Sequence, residues 1–482
     1  MSTARARATR MILVLAVVVL GAALVATVGF ALSTVTRPLD NVEGSVLFEA
    51  SRIRDHLPLY IDPLVGAFDY GPVPARYYVL YAPLFSALLS VLPASAAPLC
   101  ARLLGCVAWF GVLALVVLAA RRDTRRVTLL GAVFVAGVYS LTLFGASGRP
   151  DALAVLLAGL GLLRSARRGR VDAVAALLFA LAPFLKPNVV GLAAGVVIVD
   201  VVRRRLLVVP ALLAGIALAL TIMLALHRVS HGTWLTHLLL STGQPLSGEQ
   251  WVDQVPSRLQ FLGLPIAGAF AAGWRLRRED GVALALGALG ASLAWAMVCG
   301  AKIGSATNYW MEPCLAALVV VSRAPLPPLG PTARMALASA ALGQALWTGV
   351  ASVRSSVEQV AWRVPASRRI MARARSVCGA TAGDVMLGDE IGIELALDGR
   401  IVIPPFQTTH LVRRGLFPAS LWIAEIERPQ IAGVVMEDGL LERPPSEVNA
   451  LQDRYPPEVR RALQERFALT DQQGDWRVYC RR

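Results

Sequence analysis

Residues 11–36 read MILVLAVVVLGAALVATVGFALSTVT, and the ten residues before them read MSTARARATR. An uncharged apolar run of this length is enough for an α-helix to cross a bilayer, which takes roughly 20 residues. It is too long for the apolar core of a signal peptide and shows no clear cleavage site, so it reads as a retained first membrane helix. Arg5, Arg7 and Arg10 hold its leading end in the cytoplasm, the side on which basic loop residues are retained.

The same signal recurs along the chain. Of 482 residues, 56% are hydrophobic and only 16% are charged, and apolar runs continue almost to residue 350. A soluble chain of this size would instead divide into domains with polar surfaces. Apolar and polar residues do not alternate, which argues against a membrane β-barrel. The formal net charge is +15, yet the arginines punctuate the apolar runs and do not gather on one soluble module, which excludes a nucleic-acid binder.

Basic clusters then order the spans. Helix 1 leads out, and residues 37–97 form a first outer loop. Helix 2 (98–120) leads in to Arg121, Arg122, Arg125 and Arg126. The apolar stretch 77–92 must then stay outside as a juxtamembrane or re-entrant helix. Helix 3 (127–145) leads out to 147–151, helix 4 in to Arg164, Arg167, Arg168 and Arg170, and helix 5 out to Lys186, Pro187 and Asn188. Helix 6 leads in to 203–205, and helix 7 (206–226) out to a loop with His227, His231 and His237. Helix 8 leads in to Arg275, Arg277 and Arg278, and helix 9 out to 302–308. Helix 10 leads in to Arg323 and helix 11 (333–350) out. The expected fold is thus a polytopic α-helical membrane protein of about eleven spans, with helices 4 and 5 short at about 14 residues.

Hydropathy falls after Val350, so the domains are expected at 1–350, in the membrane, and 351–482, extracytoplasmic. Residues 352–378 read as an amphipathic linker helix near the membrane surface. Strands are expected at 384–388, 400–403 and 431–436, helices at 416–427 and 446–467, and a hairpin from 467 to the end, which makes a small α/β domain. Cys378 and Cys480 lie at its two ends. Both a disulfide, which an oxidising exterior permits, and two buried thiols fit the sequence.

Polar groups near a bilayer are costly and mark functional sites. Here they collect on the expected outer side: Asp40, Glu43, Glu49, Arg52, Asp55, His56, Asp62 and Asp69 in the first loop, then Arg149, Asp151, Lys186, Asn188, Lys302, Asn308 and Glu312. Of the 47 basic residues only Lys186 and Lys302 are lysines, and both sit at outer helix ends, where topology does not call for positive charge. A lysine is a compact point charge suited to phosphate. Asp40 or Glu43 can serve as a general base toward an acceptor hydroxyl, although Asp40 or Asn41 also suits a helix cap. Arg149-Pro150-Asp151 opens helix 4, where Pro and Asp are ordinary first-turn residues and the arginine is not. GSATNYWMEP (304–313) is a small-residue loop before a helix N-terminus, a plausible anion site with interfacial aromatics Tyr309 and Trp310. His227, His231 and His237 are interrupted by Gly232 and have no accompanying carboxylate, so they do not read as metal ligands.

Three segments together resemble the GT-C glycosyltransferases, in the branch of protein O-mannosyltransferases and lipid A aminoarabinose transferases. The first is DNVEG (40–44), with a helix containing Ala50, then PLYIDP (58–63), YGP (70–72) and YYVLYAP (77–83). The second is GRPDAL (148–153) and the third GSATNYWMEP (304–313). The resemblance implies a membrane glycosyltransferase of a bacterial plasma (inner) membrane. It would move a sugar from a polyprenyl-phosphate donor to a glycan, lipid or protein acceptor on the extracytoplasmic face. Asp40 matches the family's first-loop carboxylate, with Glu43 as the alternative because Asn41 and Val42 separate a pair that is adjacent in many relatives. Lys186, Lys302 and Arg149 would meet the donor phosphate, and Asn308 and Tyr309 would orient sugar or phosphate; Asp151, Asn188 and Glu312 are further substrate-binding candidates. Several relatives act without a metal, so no metal is expected.

A transporter or flippase of a lipid-linked or anionic substrate is the main rival. It predicts charges at mid-membrane and an internal repeat, and the sequence shows neither. A polysaccharide polymerase would usually lack an acidic loop directly after helix 1.

Overall fold

The computed structural model describes residues 3–33, 41–68, 71, 73–204, 208–325, 330–437, 441–442 and 454–482. Asp40 and Asp69, and the 446–453 part of the helix expected at 446–467, lie outside the described residues. The chain divides into two compact units, neither continuous in sequence.

The first unit comprises Met1–Leu32, Arg102–Leu224 and Pro245–Val357 and is helical. Among the described residues of the chain, four helical stretches are long and apolar enough to cross a membrane: Val14–Ser33, Ala97–Ala119, Val209–Val229 and Asp280–Gly300. The protein is therefore an integral membrane protein. Other expected spans have different forms. The expected helix 3 is broken: Arg125–Gly137 and Tyr139–Ala146 meet at 77°. Val138 is extended there, and Ser352 Oγ accepts from Tyr139 N–H (3.0 Å) while its one proton is shared between Thr348 C=O (2.7 Å) and Gly137 C=O (3.1 Å). A buried hydroxyl thus serves backbone groups that the break releases. Asp151–Arg168 runs 18 residues where about 14 were expected, because the helix continues through Arg164, Arg167 and Arg168 to a left-handed Gly169. Ala173–Leu185 has 13 residues. Gly248–Arg275 and Pro331–Glu358 are 28 residues each but carry charged residues.

Lipid offers little hydrophobic drive between helices, so close backbone approach matters. The Gly191–Arg204 and Asp280–Gly300 helices touch through Gly195 and Gly287, and a Cβ on Gly191 would stand 2.6 Å from Ser292 Cα. The Gly248–Arg275 helix contains Pro265, which leaves the Phe261 carbonyl without its helical donor. Gln344 Nε2 donates to that carbonyl at 2.8 Å.

The second unit gathers Ser33–Ala101, Ala225–Gln244 and Glu358–Arg482. Among the described residues its sheet has four strands, β1 (Val385–Gly388), β2 (Ile431–Glu437), β3 (Phe467–Gln473) and β4 (Trp476–Arg481), in the order β1-β2-β4-β3. β1 and β2 run parallel, and the expected C-terminal hairpin is β3–β4. One face packs Val385, Leu387, Val434 and Tyr479 with Trp422, Ile426 and Leu463, and the other lies under Ala366, Ile370 and Ala374 of the Val364–Val377 helix. The strand expected at 400–403 is not one. Ile401, Val402 and Ile403 are buried, but Val402 N–H goes to Glu394 and its C=O accepts from Arg76 N–H, so no ladder forms. A short apolar run alone does not distinguish a strand from a buried loop. The 416–427 helix spans Ala419–Glu427, and a second helix, Pro405–Arg413, was not foreseen. In the 77–92 stretch only Leu84–Ser90 is helical, while Tyr77, Tyr78, Val79 and Leu80 are buried outside regular secondary structure.

Candidate active site

Residues 149–151, 186–188 and 308–312, distant in sequence, converge in the first unit. Asp151 starts its helix just after Pro150, and 1% of it is exposed. Lys186 follows the last turn of the Ala173–Leu185 helix, where its extended backbone and Pro187 end the helix and turn the side chain inward. Its ammonium reaches Asp151 Oδ1. Arg149 Nε donates to Asp151 Oδ2 at 3.2 Å, and Asn308 Nδ2 to Oδ1 at 2.6 Å. Arg149 is stacked 4.6 Å over the Phe144 ring, and Lys186 stands 5.6 Å from the centre of the Tyr309 ring. One buried carboxylate thus engages two buried cations and holds both in place.

A second layer of contacts fixes the first. Asn188 Nδ2 donates to Tyr309 Oη at 3.0 Å, and Trp295 Nε1 donates to the Asn188 carbonyl at 2.8 Å. The Glu312 carboxylate accepts from Gly191 N–H (3.4 Å) and Leu192 N–H (3.0 Å) and so caps the Gly191–Arg204 helix. Asn308 is 6% exposed; with its amide nitrogen on Asp151, its Oδ1 is left buried and without a hydrogen-bond partner among the described residues. Lys302 stays apart from this network: it is half-buried, its backbone pairs with Leu246, and among the described residues no carboxylate pairs with its ammonium. Trp295 and Phe144 had no local signal in sequence, because each acts only through a neighbour the fold supplies.

The first-loop candidates belong to the second unit. Glu43 lies fully buried in the first turn of the Asn41–Arg54 helix. On the same helix Glu49 is 2% exposed; Ser86 Oγ donates to it at 2.7 Å and Leu80 N–H at 3.4 Å. Burial pushes the Glu49 carboxyl up to about 7, against these two hydrogen bonds. Of the three histidines, His237 is a tie within the loop. Its Nδ1 accepts from Val79 N–H (3.2 Å), which leaves Nε2–H to donate to Ile61 C=O (2.7 Å), and burial lowers its pKa. Among the described residues no group of three or more His, Cys, Asp or Glu side chains could hold a metal ion. Cys378 and Cys480, left open by the sequence, are joined as a disulfide.

No family model and no curated protein sequence matches the chain. Solved structures do. The chain is similar to ArnT from Cupriavidus metallidurans in the apo state, at TM-score 0.55 and 14% identity, over 99% of this chain and 98% of that one. It is equally similar to ArnT from the same organism bound to undecaprenyl phosphate, at TM-score 0.55 and 13% identity, over 96% and 97% of the two chains. The likeness runs through nearly the whole of both chains and is one of fold.

Proposed function

We propose that this protein transfers a sugar from a polyprenyl-phosphate donor to an acceptor at the extracytoplasmic face of a bacterial inner membrane. The observation that carries the reading is the buried Asp151–Lys186–Arg149–Asn308 cluster within a fold like that of ArnT, one structure of which holds undecaprenyl phosphate. Residues 1–350, with about eleven spans, form the catalytic body, its N-terminus cytoplasmic. Residues 351–482 form an extracytoplasmic domain, a placement supported by its disulfide. The acceptor is a glycan, lipid or protein.

In the proposed reaction an acceptor hydroxyl oxygen attacks the anomeric carbon, and the bond from that carbon to the phosphate oxygen breaks. Polyprenyl phosphate leaves with one more negative charge. The hydroxyl proton passes to the carboxylate of Asp40, or to Glu43. Charge growing on the leaving phosphate is met best by cations already fixed in a dry site, the role assigned to Lys186, Arg149 and Lys302. Their partners divide the work. Lys186 and Arg149 are tied to Asp151, whereas Lys302 has no carboxylate partner among the described residues and brings an uncompensated charge. The unpartnered Asn308 Oδ1 is an acceptor, which suits a sugar hydroxyl and not a phosphate oxygen. Tyr309 and Asn188 orient that region, and Glu312 acts through the helix it caps.

The test is transfer by the purified protein in lipid, with a panel of radiolabelled polyprenyl-phosphate sugars and membrane extract as acceptor source. Wild type should transfer label, and well-folded Asp40→Asn should lose it by a factor of roughly 100 or more, in the range of a lost general base. Retained transfer in Asp40→Asn with loss in Glu43→Gln would move the base. Wild type that neither turns over nor binds any donor would sink the reading in favour of transport.

A further inference from the structure

The Ile391–Asp398 helix opens on an amide that its own sequence does not cap. Glu390, at the cap position, makes no side-chain cap and instead pairs with Arg454 at 2.7 Å. The Ile391 N–H donates to Asn41 Oδ1 at 2.9 Å, a side chain 350 positions earlier. Asn41 is the first residue of the first-loop helix, Asn41–Arg54. One turn along, a Cβ on Gly44 would lie 3.0 Å from Ile391 Cγ2 and 3.2 Å from Gly392 N, so the two helices meet with no room for a side chain. A further turn along, Phe48 packs in one core with Ile391, Ile401, Tyr77 and Val79.

Positions 41, 44 and 48 lie on one stripe of a helix of 3.6 residues per turn. Glu43 is about 200° round from Asn41, on the other side of it. A helix pinned along one stripe has a fixed rotation about its axis, which sets the direction in which the far side faces. Asp40 precedes the pinned residue directly in sequence, and Glu43 follows it by two. Asn41 and Val42 are also the residues that separate the two carboxylates.

We propose that Asn41 is a positioning residue: by capping the Ile391–Asp398 helix it lets the C-terminal α/β domain set the stance of the first-loop carboxylates. The role rests on the reading that Asp40 or Glu43 is the base. It makes the C-terminal domain a support of the catalytic loop, not an attachment that only meets acceptor.

The test uses the full chain in lipid with two readouts, steady-state transfer from a polyprenyl-phosphate sugar and hydrogen exchange of the amides at 391–393. Asn41→Ala removes the acceptor oxygen and Asn41→Asp keeps one. In Asn41→Ala, kcat should fall roughly 10- to 100-fold, the scale of a small misplacement of a reacting group, with donor KM within about twofold. Exchange at Ile391 should quicken. Asn41→Asp should restore protection and most of kcat. The apparent base pKa in its rate profile should rise, because a second carboxylate opposes ionisation of the first. Equal loss in both variants, faster exchange with unchanged kcat, or a rise in KM alone would each overturn the role. Unchanged exchange in Asn41→Ala would overturn the cap itself. If Asp40→Asn and Glu43→Gln both keep full turnover, the assignment of the base fails, and positioning of those carboxylates fails with it; exchange at Ile391 still reports the cap separately.

Discussion

Asp151 in the first unit and Glu394 in the second are equally buried carboxylates, at 1% and 2% exposure, but they face different partners. Asp151 meets two side-chain cations and an amide. Glu394 meets backbone: its oxygens accept from Gly388 N–H at 3.3 Å and Val402 N–H at 2.6 Å. One carboxylate organises charge, while the other supports chain segments, the end of β1 and the 400–403 loop. The difference decides what each loss would do. Without Asp151 two buried cations lose a carboxylate that both contact. Without Glu394 two amides lose acceptors but no ion is stranded.

The largest effect should follow from Asp151→Asn. The replacement has nearly the same shape and cannot neutralise Lys186 and Arg149, and removing one member of a buried ion pair costs roughly 3–5 kcal/mol. Thermal unfolding of the purified protein should begin well below that of wild type, with loss of monodispersity. Lys186→Met should cost less, because Arg149 remains on Asp151. Lys302→Met should leave unfolding within about 0.5 kcal/mol of wild type and act on transfer alone, since no ion pair is broken. Equal destabilisation by the two lysine variants would erase the distinction between a tied and an untied cation.

The next effect belongs to the second unit. Cys378 and Cys480 close a loop of 102 positions round the α/β fold. Replacing both by serine should destabilise this unit by about 2–4 kcal/mol, read as faster hydrogen exchange in β2 and β4. The first unit should keep its protection. Equal loss of protection in both would show that they unfold as one and would remove the basis for treating them apart.

How much of this was legible in sequence follows the same line. Arginine placement and apolar runs were enough to give a membrane protein with an α/β tail, because both signals are local. Lys186 and Asp151 were each singled out, but their pairing was not, since 35 positions and two helices separate them. Asn41 was weighed as a cap for its own helix, whereas it caps another. Ile401, Val402 and Ile403 read as strand because their burial is real; what makes them a loop is the destination of two backbone groups, which no local pattern encodes. The break at Val138 was hidden for the same reason. Its stabilising partner, Ser352, lies 213 positions away from Tyr139.

The smallest effect, per unit of pH, tests the Glu394 side of the comparison. Burial raises the Glu394 carboxyl to about 8 from an ordinary 4.5; Asp398 adds to the rise, and the two amides and Arg400 oppose it. The folded state therefore holds a proton that the unfolded chain gives up near pH 4.5. Stability from this group is fully present below that value, declines as pH rises, and is spent above about 8. The slope it contributes is at most about 1.4 kcal/mol per pH unit. Hydrogen exchange of the Ile391–Asp398 helix, corrected for intrinsic rates, should quicken between pH 5 and 8 in wild type. In Glu394→Gln, which stays neutral throughout, that quickening should shrink, although one of the two amides loses its acceptor and protection starts lower. A Gln variant with the wild-type slope would assign the pH dependence to Asp389, which burial raises to about 7 beside Arg454, and not to the carboxylate that supports the loop.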